Sequence, residues 1–160
     1  MQTSPISAGP TATRPPAAVR TATGLWAVAV GSGVLETLLV VVPLATTGGM
    51  DGGLWANLGL RAIVYGVAAL LVVGYRRRRK YSRAGLAVLL SGVGLASMVV
   101  PAVSALAAGA DLVDALGSGG ALAPAFAIVR VTHVAAVVVA TVAMFLPGAS
   151  RWYRGAPPVP

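Results

Sequence analysis

The sequence predicts an all-α integral membrane protein: a bundle of four spanning helices with both termini in the cytoplasm. Three observations carry that expectation. Hydrophobic side chains make up 57% of the 160 residues and charged ones only 10%, with a mean hydropathy of +0.84, far too apolar for an ordinary soluble domain. Four apolar runs are long enough to cross about 30 Å of hydrocarbon at about 1.5 Å per helical residue. Ten of the twelve Lys and Arg residues fall on one side of a four-span topology.

The elements follow in chain order. Residues 1–22, rich in Pro, Thr, Ser and Ala with Arg14 and Arg20, are expected to form a disordered cytoplasmic tail, because the segment has no apolar core to offset its chain entropy. The membrane domain then covers 23–147, with spans near Thr23–Ala45, Leu54–Tyr75, Ala84–Ala108 and Leu122–Leu146. The first run is well past the roughly 7–15 apolar residues of a cleaved signal, so it is expected to stay in the protein. Helices are the default for all four, since lipid leaves backbone polar groups no partner but each other, and the runs lack the alternation of barrel strands. Pro43 and Pro101 fall in the outer parts of the first and third spans, where proline kinks or ends a helix. Pro124 suits the first turn of the fourth. Residues 148–160 read as a second short cytoplasmic tail, with Trp152 and Tyr153 at the level of the lipid headgroups.

A net charge of +8 and a pI near 11.4 superficially suggest nucleic-acid binding. The positions of the charges argue against it. Arg14, Arg20, Arg76, Arg77, Arg78, Arg79, Lys80, Arg83, Arg151 and Arg154 all lie outside the spans on the same side, which the positive-inside rule makes the cytoplasmic one. Asp51, Asp111 and Asp114 then occupy the outer loops. The loop holding Arg76, Arg77, Arg78, Arg79, Lys80 and Arg83 is expected to set orientation and to face anionic lipid, and no nucleic-acid partner is expected. With no cysteine, disulfides, thiolate metal sites and cysteine nucleophiles are excluded. One histidine and no cysteine are too few ligands for a zinc site, and neither a metal nor a cofactor is expected.

Two basic residues remain inside the spans, Arg61 and Arg130, together with Glu36 and the sole histidine, His133. A charge within a span costs at least about 2.5–3.5 kcal/mol on insertion scales, so such residues turn inward and find partners. Counted from the outer helix ends, Arg61 and Arg130 lie about 10 Å deep and Glu36 and His133 about 15 Å. Those depths allow Glu36 to pair with either arginine. Tyr65 shares a helix face with Arg61, and His133 with Arg130. Glu36, Arg61, Tyr65, Arg130 and His133 therefore form the candidate intramembrane ion-pair or ligand-binding cluster. One carboxylate cannot neutralise two guanidiniums. Asp111 or Asp114, water, lipid or an anionic ligand must offset the remaining positive charge.

Weaker signals surround this cluster. Gly31-Ser32-Gly33 and the small-residue pairs Ala29/Gly33, Ala62/Gly66, Gly92/Ala96 and Ala136/Ala140 suit close helix packing. Asp111 and Asp114 lie on one face of a short interfacial helix, with Leu112 and Leu116 towards lipid or protein. One offset matches Gly24-Leu25 to Gly85-Leu86 and Gly31 and Gly33 to Gly92 and Gly94, as in a tandem repeat of one hairpin.

Three function classes remain. The first is a non-catalytic accessory or partner-binding membrane component, with a second copy or another membrane protein as partner. The second is a small membrane enzyme acting on a hydrophobic or anionic substrate, with Glu36 and His133 as acid–base candidates and the arginines holding an anion. The third is a subunit of a transporter or flippase for an anionic amphiphile. Richness in Ala, Val and Gly, with Arg dominating Lys, points to a high-GC bacterial origin and hence to the cell membrane.

Overall fold

A computed structural model describes residues 15–48, 51–116 and 121–154. The regular structure among these residues is all helical, with no strand. Four helices are long and apolar enough to cross a membrane: α1 (Ala17–Thr47), α2 (Gly52–Arg76), α3 (Lys80–Ala107) and α5 (Ala123–Phe145). Two short helices complete the chain, α4 (Leu112–Leu116) and α6 (Pro147–Arg154).

Helix ends are set by local chemistry. α1 stops at Gly48, whose φ of 72° is left-handed and whose N–H donates to the Leu44 carbonyl, an ending that favours glycine because no Cβ opposes it. Asp51 caps α2 by accepting the Leu54 N–H at 2.7 Å, and Asp111 caps α4 by accepting the Asp114 N–H at 2.9 Å. Each satisfies a donor with no partner inside its helix. Pro124 does lie in the first turn of α5. Between α2 and α3 the chain reverses within Arg77–Arg79. Arg78 adopts φ 59° while the Arg79 N–H returns to the Gly74 carbonyl at 2.9 Å.

α1 and α5 form the inner pair, packed along most of their lengths, with α2 against α1 and α3 against α5. Trp26, Ala29, Ala136, Val137 and Ala140 build the core between them. Small residues at their contact let the two backbones approach where lipid offers no hydrophobic drive for association. α3 widens into a π-helical stretch over Ala87–Gly94, where the Ser91 and Thr141 hydroxyls share a hydrogen bond of 2.7 Å with α5.

Both tails depart from expectation. Residues 1–14 lie outside those described, but α1 starts at Ala17 rather than Thr23, and Val19 and Ala22 are completely buried. The reason lies at the other end of the chain. α6 folds back on the bundle, and Ala149, Trp152 and Tyr153 join Val19, Ala22, Tyr75 and Met144 in one cluster. Trp152 and Tyr153 are thus docked on protein: the Tyr153 hydroxyl donates to the Tyr75 carbonyl, and the Arg78 guanidinium covers the Trp152 ring at 3.4 Å.

Candidate functional site

Adjacent residues of an α-helix point about 100° apart, so Glu36 and Thr37 address different neighbours. Glu36 faces α5. Its Oε1 accepts from Arg130 Nε at 3.1 Å and lies 3.0 Å from Arg130 Nη2. Glu36 is only 5% exposed, and its other carboxylate oxygen has no partner. His133, one turn along α5 from Arg130, is buried to the same degree, with Nδ1 also unpartnered.

Thr37 faces α2. Tyr65 reaches across to donate its hydroxyl to the Gly33 carbonyl at 2.8 Å, and that hydroxyl lies 3.1 Å from Thr37 Oγ1. Gly33 permits this approach: a Cβ there would stand 2.9 Å from the Tyr65 ring. One turn before Tyr65, Arg61 donates from Nε to Asn57 at 2.9 Å and from Nη1 to the Thr37 hydroxyl at 3.3 Å. Among the described residues Glu36–Arg130 is the one ion pair.

The five residues expected to form one cluster therefore divide about α1. Glu36, Arg130 and His133 lie between α1 and α5, whereas Arg61 and Tyr65 lie between α1 and α2. Both pairings of Glu36 were open from depth alone, and the rotation of α1 selects Arg130. Asp111 joins neither group, because its carboxylate is engaged at the start of α4. Sequence reasoning missed Gly33, Thr37 and Asn57 as members. Asn57 carried a usable signal, since it precedes Arg61 by four residues and so shares its face.

Arg61 opens onto a cavity of about 490 Å³ between α1 and α2, walled by Val40, Val41, Leu44, Leu54 and Leu58, with Asp51 also on its lining. Its lining sets aliphatic walls beside a guanidinium, an amide, a hydroxyl and the Asp51 carboxylate. Arg61 is thus the cation left over once Glu36 is committed to Arg130.

Of the six basic residues expected to face anionic lipid, Arg76, Arg77, Arg78, Arg79 and Lys80 are exposed. Arg83 is turned inward, donating to Ser150 Oγ at 3.0 Å and stacking on Phe145 at 4.5 Å. It holds α6 to α3. Comparison of the chain with known protein families, curated proteins and solved structures finds no match.

Proposed function

We propose that the chain is a non-catalytic multi-pass component of the bacterial cell membrane, an accessory or partner-binding subunit, with both termini cytoplasmic. The observation that carries this reading is the Glu36–Arg130 pair. It commits the one intramembrane carboxylate to joining α1 and α5, which is what polar residues in membrane bundles commonly do. Orientation rests on the positive-inside rule, with the basic Arg76–Lys80 turn inside and Asp51 and Asp111 outside. A tandem origin of the hairpins rests on the glycine matches between their first helices.

The test is complementation of cells lacking the gene. An uncharged pair can pack but cannot exchange protons, so the double variant Glu36→Gln with Arg130→Gln is expected to restore both abundance in the membrane and the cellular phenotype, and His133→Ala to leave both unchanged. Normal abundance without the phenotype in either variant would favour the acid–base enzyme instead.

The Arg61 cavity favours one second reading, a subunit that handles an anionic amphiphile. That reading predicts net movement of such a lipid by the purified chain in sealed vesicles, abolished by Arg61→Gln. No movement by a confirmed inserted protein counts against it.

A further inference from the structure

At the basic end of the bundle α3, α6 and the last residue of α5 border an open surface cavity, of about 520 Å³, lined by Lys80, Arg83, Ala84, Phe145, Ser150 and Arg154. Lys80 and Arg83 lie three apart on α3, and Ser150 and Arg154 four apart on α6, so each pair presents one face to the space between the helices. Three cations converge here with no Asp or Glu side chain in the lining. Glu36 lies 19 residues along α1 from its Ala17 start, about 28 Å at the helical rise. Asp51 and Asp111 cap helices at the opposite end of the spans. None of these comes within a Debye length of about 8 Å. Among the described residues no carboxylate lines this space, so three like charges held together there favour an anion.

We propose that this cavity binds the phosphate of an anionic phospholipid. Arg83 is already fixed by Ser150 and Phe145, so it supplies a preorganised guanidinium edge. Lys80 and Arg154 are exposed and close on the phosphate from either side. Phe145 is 56% exposed at the end of α5, giving the acyl chains an apolar surface just below the charge. A phosphate at the boundary of the hydrocarbon meets both requirements, whereas a free anion uses only the first. Bound there, the lipid ties α6 to α3 and reinforces the docking that buries Val19 and Ala22. The proposal rests on the chain residing in a membrane, which extraction of membranes with alkaline carbonate checks separately.

The experiment uses the full chain in an uncharged mild detergent, titrated with phosphatidylglycerol, with bound lipid counted by native mass spectrometry. Lys80→Gln with Arg154→Gln removes two lining charges from exposed positions and leaves Arg83 to hold α6. At about 1 kcal/mol per basic residue near a lipid phosphate, the expected loss of affinity is about 30-fold. Arg76→Gln with Arg77→Gln removes the same charge from exposed positions outside the cavity, and is expected to weaken binding by less than about threefold. Equal losses in the two double variants would mean diffuse attraction to a basic surface and overturn the site. Full displacement of phosphatidylglycerol by inorganic phosphate at similar concentration would overturn the lipid assignment.

Discussion

Glu36 and Thr37 are sequence neighbours on α1, yet each receives a different arginine. Arg130 of α5 ends on the Glu36 carboxylate, and Arg61 of α2 on the Thr37 hydroxyl. A helical step of about 100° thereby separates a neutralised guanidinium from one with no carboxylate within ion-pair distance among the described residues.

The two arginines should consequently respond differently to the same change. Arg61→Gln strands no carboxylate and removes a cation that costs about 2.5–3.5 kcal/mol to insert. It is expected to lower stability by less than about 1 kcal/mol and to leave or raise the inserted amount. Arg130→Gln strands Glu36 and is expected to cost about 3–5 kcal/mol. Unfolding of both variants in mild detergent checks the order, and equal losses would contradict it.

Gly33 and Gly31 make a matched pair for the α1–α2 contact. A Cβ at position 33 would press on the Tyr65 ring, whereas one at position 31 meets nothing within 4 Å. Gly33→Ala is expected to destabilise by about 1–3 kcal/mol through overpacking. Gly31→Ala, lacking that clash and gaining helix propensity, is expected to be neutral or stabilising by up to about 1 kcal/mol. Thermal unfolding of the two variants side by side decides the point.

Asp51 fixes the start of α2 through the Leu54 N–H. Asp51→Ala is expected to cost about 1 kcal/mol, and Asp51→Ser to recover most of it, since serine also caps. Hydrogen exchange at the first turn of α2 would report the fraying directly. Exchange in Asp51→Ala identical to that of the unaltered chain would mean that the carboxylate does not cap.

The Tyr153 phenol is held well above the ordinary tyrosine value, first by burial and then by the neighbouring Tyr75 ring. Its neutral form is the one that donates to the Tyr75 carbonyl. Because the folded value is raised, the contribution of this phenol to α6 docking is complete below the ordinary value of about 10 and is lost as pH rises beyond it. A spectrophotometric titration of the protein against its Tyr153→Phe variant should place the missing phenolate signal above pH about 10. Ionisation of Tyr153 below that value would contradict the docked geometry.

Hydropathy alone located the four spans, because a run such as Leu54–Tyr75 has no alternative in lipid but a helix. What it could not locate was α6. Pro147–Arg154 is short and polar, and its Trp and Tyr read equally well as headgroup anchors, so neither its return to the bundle nor the extension of α1 to Ala17 was visible. The same limit applied to the polar residues. Depth placed Glu36 within reach of both Arg61 and Arg130, and only the rotation of α1, set by packing of Trp26 and Ala29 against Ala136 and Ala140, chose between them. Gly33 was legible as a small residue, whereas the ring it accommodates was not.

The Glu36–Arg130 pair joins α1 to α5 across the inner contact of the bundle. A double-mutant cycle on unfolding free energy, using Glu36→Gln, Arg130→Gln and both together, measures that pair directly. The arrangement predicts a coupling on the order of 1–2 kcal/mol, with Arg130→Gln the more damaging single change. Arg130 keeps 23% of its side-chain surface and can turn outward, whereas Glu36 keeps only 6%. Single effects that simply add, leaving no coupling, would contradict the pairing on which the division of the two arginines depends.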